Sequence, residues 1–272
     1  MATQNLLLWL LLTGAAAVTA HDGQSDSFDA DAALRQSQVA VGRQIPAYQF
    51  TDASGQAVSL ADYRGMPVVI SLIYSSCYHT CPVTTQYLKK AIGAAREALG
   101  GRPFQVLSIG FDVPADNPRS MAGFKHTQAV QLDHWAFLSG DRQTIAALTR
   151  DLGFSYRASP RGYDHLVQLS VLDEQGVLYR QVYGETYELP WLVEPLKEIV
   201  FKDRRGIRQL LSNIGNRVRL FCTLYDPVSG RYRYDYSLFI QMTIGGMVII
   251  AGIIYLVREA RRAQQLKAGK SA

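Results

Sequence analysis

Pro67-Val68-Val69-Ile70-Ser71-Leu72-Ile73-Tyr74-Ser75-Ser76-Cys77-Tyr78-His79-Thr80-Cys81-Pro82 decides how this chain folds. Its first half is mostly apolar and partly β-branched, bounded by Gly65 and by Ser75-Ser76, which predicts a buried strand. Its second half places two cysteines four residues apart and ends in a proline suited to a first helical turn. Beyond Pro82, Leu88, Ala91, Ile92, Ala95 and Leu99 recur at steps of three or four, which predicts a helix ended by Gly100-Gly101. The cysteine pair therefore sits at a strand-to-helix corner. A second cysteine at the helix start would feel the positive end of the helix dipole, which favours thiolate. A four-residue step on a helix would put both sulfurs on one face. Such a pair suits joint ligation of a soft metal, Cu(I) or Zn, and also permits a reversible or a structural disulfide. A third ligand would complete a copper site, and an imidazole would let it hold Cu(II) as well.

The flanking sequence continues the alternation of strand and helix. Ile45-Pro46 and Asp52-Ala53-Ser54-Gly55 mark a turn between two short strands within 41–61. Phe104 to Gly110 reads as a strand, residues 118–129 as a helix and Ala136 to Leu138 as a short strand. Asp141 caps a helix running to Leu152. Leu166 to Leu172 and Val177 to Tyr183 form a hairpin through Glu174-Gln175-Gly176, and Trp191 to Phe201 closes as a helix. The pattern predicts an α/β, thioredoxin-like layered fold with an added β-hairpin over 39–201.

Composition bounds the rest. The chain has 272 residues, 48% of them hydrophobic, enough for a packed core without disulfide staples. Three cysteines are too few for a disulfide scaffold. The formal charge is +5, but Arg258, Arg261, Arg262, Lys267 and Lys270 against Glu259 place +4 of it after Val257. A nearly neutral body with a basic tail argues against a nucleic-acid-binding face.

The two ends set the compartment. Leu6 to Leu12 is an apolar core, and Val18-Thr19-Ala20 a small-residue cleavage site, so residues 1–20 read as a signal peptide, or, lacking an early Lys or Arg, as an uncleaved anchor. Residues 21–38 read as a flexible linker. Ser237 to Val257 is a 21-residue stretch without charge, flanked by Tyr232, Tyr234, Tyr236 and an Arg cluster. It is long enough for one transmembrane helix with residues 258–272 as a basic cytoplasmic tail, the alternative being a buried core helix. Residues 202–236 form a juxtamembrane segment with a small hairpin around Asp226-Pro227-Val228-Ser229-Gly230. The body then lies in a periplasm-like, oxidising space, tethered to the cell membrane.

Several familiar dithiol chemistries do not fit. Thioredoxin-type oxidoreductases separate their cysteines by two residues, and here there are three. The haem-attachment pattern Cys-x-x-Cys-His is absent, and Tyr74 stands where a peroxiredoxin has Thr or Ser.

Cys77, Cys81 and Pro82 after a buried strand resemble the core motif of the SCO/SenC proteins, with Asp112 and Asp116-Asn117-Pro118 similar to that family's acidic loop. Tyr163-Asp164-His165 precedes a later strand, 84 residues beyond Cys81, as the family's Asp-His pair does. The resemblance covers about Val41 to Phe201. It implies a thioredoxin-like metallochaperone, not an enzyme, that binds copper, Cu(I) or Cu(II), through Cys77, Cys81 and His165. It implies delivery to the copper-accepting subunit of a respiratory cytochrome c oxidase during assembly. Asp164 would orient His165 as an outer-shell group or be a plain turn residue. The alternative function is a thiol–disulfide reductase using Cys77 and Cys81 without metal on the oxidase's cysteines or other exported proteins. Two departures stand out. Tyr78-His79-Thr80 replaces the family's usual Pro-Asp-x, and the clear anchor is carboxyl-terminal. His79 reads as a solvated loop residue or an auxiliary ligand. His126 and His134 read as surface residues, His21 as the mature amino terminus, and Cys222 as a buried thiol or a redox or copper relay.

Overall fold

Val68 to Ile73, apolar but for Ser71, predicts a strand with both faces covered. The computed structural model describes residues 28–202, 223–226, 231–234 and 237–268, and there β3 (Val68–Ile73) is buried along its whole length. It pairs in parallel with β4 (Gln105–Gly110) and antiparallel with β8 (Gln168–Leu172). β5 (Trp135–Ser139) extends the parallel set beyond β4. β1 (Gln49–Asp52) and β2 (Ala57–Ser59), the two short strands expected around the Asp52–Gly55 turn, close that edge, and β9 (Leu178–Tyr183) closes the other. The sheet order is thus β2-β1-β5-β4-β3-β8-β9.

Helices cover the sheet where the apolar periodicity puts them. α2 (Thr80–Ala98) buries Leu88, Ala91, Ile92 and Ala95. It begins two residues earlier than Pro82, so Cys81 lies in its first turn, where proline's missing N–H costs nothing. Left-handed Gly100 and Gly101 follow its end. α3 (Pro118–Thr127) is capped by Asn117, whose side chain accepts from the backbone of Arg119 and Ser120. α4 (Arg142–Asp151) is capped by Asp141 as the sequence predicts, and α5 (Leu189–Lys202) closes the domain. The layered α/β arrangement is the thioredoxin-like one expected.

Two elements differ from the expectation. Residues 30–38, read as part of a flexible linker, belong to α1 (Ala30–Val39), capped by Asp29. Its buried residues are only Ala33 and Ser37, so no large apolar stripe announces it. It is fastened instead by polar and close contacts: Ser37 Oγ lies 3.0 Å from Tyr183 Oη. Ser155 donates to Gln36 Oε1, and a Cβ on Gly153 would meet the Gln36 carbonyl at 2.6 Å. The second element is a two-stranded hairpin apart from the main sheet, β6 (Tyr156–Ser159) and β7 (Gly162–His165), which carries His165.

At the carboxyl side β10 (Thr223–Asp226) pairs antiparallel with β11 (Arg231–Tyr234), the small hairpin expected. α6 spans Ser237–Ala268 and exposes Ile244, Met247, Val248, Ile250 and Leu256 among others. Among the described residues no helix is long and apolar enough to cross a membrane; the expected span at 237–257 is therefore present as helix without being established as a crossing. The signal peptide expected over 1–20, His21, Cys222 and most of the 202–236 segment lie outside the described residues.

Candidate dithiol and metal centre

Cys77 is not on a helix. The chain leaves β3, turns with the Cys77 N–H donating to the Tyr74 carbonyl at 3.1 Å, and enters α2 at Thr80. The two sulfurs are neighbours because the turn folds Cys77 back over the first turn of α2, not because both share a helical face. The Cys81 N–H donates to Cys77 Sγ at 3.3 Å. Both cysteines are buried and free of a disulfide.

The electrostatics separate the two sulfurs. The Cys81 thiol, the Tyr74 hydroxyl and the backbone N–H groups of Cys81 and His79 donate to Cys77. They hold its thiol far below the usual range, to about 4. The thiolate's demand on the Cys81 proton, with burial, pushes Cys81 far up. The pair therefore rests with one proton and one negative charge, at the positive end of α2. The helix dipole favours thiolate at Cys81 as the sequence predicts, but the hydrogen bonds that converge on Cys77 place the charge there instead.

The turn is braced from below. Asp116, 3% exposed, accepts from the Ser75 N–H at 2.8 Å, from Ser75 Oγ at 2.5 Å and from the Asp112 N–H at 2.8 Å. Burial pushes its carboxyl upward against these bonds. A Cβ on Gly110 would stand 2.5 Å from the Asp116 Cβ, so this close approach needs a glycine. Tyr163 donates to Asp112 at 2.9 Å and so ties the β6–β7 hairpin to the same loop. The acidic loop seen in the sequence is thus a scaffold for the cysteine turn.

His165 ends β7 inside an aromatic nest, its ring centroid 5.4 Å from that of Phe154, 5.7 Å from Phe111 and 6.4 Å from Tyr74. Desolvation there lowers its affinity for a proton. Nδ1 lies 3.1 Å from the Leu166 carbonyl, which can only accept, so Nδ1 carries the hydrogen and Nε2 keeps a free lone pair. Asp164 does not take the orienting role. It is exposed on the opposite side of the strand by the two-residue period, and the Leu166 carbonyl orients the ring. His165 and Cys81 line one cavity. Among the described residues no group of three or more His, Cys, Asp or Glu side chains is assembled to hold a metal ion. Cys77 and Cys81 are in contact, and His165 lines the same cavity as Cys81. His79, His126 and His134 are exposed.

Residues that spacing could not announce complete the site. Tyr74 reaches Cys77 with its hydroxyl, and Gly162, at φ +119°, leaves room for it: a Cβ there would lie 2.6 Å from Tyr74 Oη. Thr80 donates to Glu185 at 3.1 Å, joining the cysteine turn to the β9–α5 loop.

A thioredoxin-like domain with two buried, contacting cysteines at a helix start defines a structural class. Within that class the chain belongs to the SCO1/SenC family, whose sequence model matches residues 37–200. It is 24% identical over 186 residues to the human SCO2 homolog, mitochondrial, covering 66% of this chain and 65% of that protein. The chain thus spans a little under two thirds of the length of that curated relative. Among solved structures, a SCO1/SenC family lipoprotein from Bacillus anthracis superposes with a TM-score of 0.53 at 19% identity, over 58% of this chain and 96% of that one. Arabidopsis thaliana ScoI with copper bound superposes at 0.51 and 15% identity, over 58% of this chain and 98% of that one.

Proposed function

We propose that the protein is a membrane-tethered, periplasmic copper carrier that loads copper on Cys77, Cys81 and His165 and hands it to a cytochrome c oxidase during assembly. The observation that carries this reading is the Cys77–Cys81 pair, in contact through the Cys81 N–H and Cys77 Sγ, with the His165 imidazole and its free Nε2 on the cavity that Cys81 lines. Two sulfurs and an imidazole are a soft donor set, suited to Cu(I) and able to hold Cu(II). Cu(I) binding needs the loss of one proton only: Cys77 arrives as thiolate, and Cys81 releases its hydrogen as its sulfur takes the ion. His165 joins by approach of the β6–β7 hairpin that bears it. The copper-bound ScoI among the structural relatives supports copper as cargo. Family membership supports the oxidase as recipient. For the tether, the support is α6, whose uncharged stretch 237–257 presents apolar side chains outward, together with the lipoprotein among the relatives.

The second reading is thiol–disulfide reduction. Cys77, the less buried of the two cysteines and the one held as thiolate, would attack a partner disulfide and form a mixed disulfide, releasing one partner thiolate. Cys81 would then displace the second partner sulfur, its proton passing to a departing thiolate. The full chain, reduced and titrated anaerobically with Cu(I), is expected to take up one equivalent. His165→Ala is expected to abolish the nitrogen couplings of the Cu(II) form while leaving disulfide exchange intact. Unchanged copper spectra and unchanged oxidase maturation in His165→Ala would overturn the carrier reading and favour the reductase.

A further inference from the structure

Two residues that line the cavity shared by Cys81 and His165 each carry a buried polar atom with no partner in the fold. Tyr187 Oη and Gln168 Oε1 make no hydrogen bond, although Tyr187 is 4% exposed and Gln168 6%. Both line the same cavity as Cys81 and His165, and it has room for about one water molecule. Buried polar groups are almost always satisfied, by protein or by ordered water.

The chemistry of the pair selects the guest. The tyrosine hydroxyl can donate, and the amide oxygen can only accept. A group lying between them must accept from Tyr187 and donate to Gln168. A bare cation cannot accept, and an anion without hydrogens cannot donate. Water does both. Thr84, also on the wall, donates its hydroxyl hydrogen to the Thr80 and Cys81 carbonyls at 3.0 and 3.1 Å, so its oxygen can accept the second water hydrogen.

We infer that Tyr187 and Gln168 hold one ordered water in this cavity, and that copper displaces it when His165 closes on the two sulfurs. The displacement half rests on the copper-carrier reading, and the hydration half does not. Tyr187 belongs to a firm wall: its ring packs edge-on against Tyr87 at 4.9 Å, and its backbone carbonyl accepts from the Tyr87 hydroxyl. The β9–α5 loop that carries it is held to the cysteine turn through Glu185 and Thr80. Tyr187 and Gln168 are thus positioning residues, acting through the water on the volume that the imidazole must cross.

The test uses the full chain, reduced and metal-free. Water-to-protein Overhauser transfer is expected at Tyr187 and Thr84, and oxygen-17 relaxation dispersion is expected to count one more long-lived water in wild type than in Tyr187→Phe/Gln168→Met. No such transfer in wild type, or an equal water count in the folded double variant, overturns the inference. Wild type alone decides the hydration half, so a variant that fails to fold does not rescue it. Addition of one equivalent of Cu(I) is expected to erase the signal. A signal that persists with copper bound overturns displacement. A chain that takes up no copper sinks the carrier reading while the metal-free hydration result stands.

Discussion

Cys81→Ala tests the central electrostatic claim. In wild type the Cys77 thiol is held at about 4, against an ordinary value of 9.0, and the largest cause is the hydrogen that Cys81 donates. Alanine removes that donor and leaves the Tyr74 hydroxyl and the backbone N–H groups of Cys81 and His79. A hydrogen bond to a charged acceptor contributes about 1.5–3 kcal/mol, and each ~1.4 kcal/mol moves a titration by one pH unit. The midpoint of Cys77 reactivity is therefore expected to rise by roughly one to two pH units. The sign follows from thiolate being the nucleophile: below the midpoint the rate falls about tenfold per pH unit, and above it the rate is flat. At pH 5 wild type is mostly thiolate and the variant between about half and nine-tenths thiol, so alkylation slows by roughly two- to tenfold, while at pH 8 the charge states match. Alkylation with peptide-resolved mass spectrometry reads Cys77 apart from Cys222. A wild-type midpoint near that of an ordinary cysteine, or coincident curves for the two proteins, would refute the assignment of Cys77 as resting thiolate.

Two further outcomes test the scaffold under the site. Asp116→Asn turns one acceptor oxygen into an N–H₂ facing a backbone donor, and is expected to cost about 1–3 kcal/mol in denaturant unfolding. An unchanged midpoint would mean that the Ser75 and Asp112 bonds do not brace the cysteine turn. Gly162→Ala places a Cβ 2.6 Å from Tyr74 Oη at a φ of +119°. It is expected to cost about 1–3 kcal/mol from backbone strain alone and to raise the Cys77 midpoint by displacing the tyrosine. A thermal midpoint and reactivity curve equal to wild type would remove Tyr74 from the site.

Much of the frame was legible because its signals are local. The apolar run before Ser75, the three- and four-residue recurrence after Pro82 and the Asp141 cap each need only a few neighbouring residues. α1 was missed because Ala33 and Ser37 bury little apolar surface, and what fastens the helix comes from Tyr183, Ser155 and Gly153, far along the chain. The β6–β7 hairpin was missed because it is half-exposed and interleaves its tyrosines with charged residues, so its pairing leaves no clean alternation.

The order of residues by itself determined which side chains could do chemistry here: two cysteines at a strand-to-helix corner, a histidine before a later strand, and acidic residues after the second parallel strand. Tertiary structure alone decided their states. It made Cys77 the thiolate, gave the Leu166 carbonyl and not Asp164 the task of orienting His165, turned Asp116 into a brace, and set the imidazole in an aromatic nest on a cavity that Cys81 also lines. The reason is range. Periodicity and capping act over a turn or two of chain, whereas desolvation and hydrogen-bond accounting are summed over every segment that folding packs around a group.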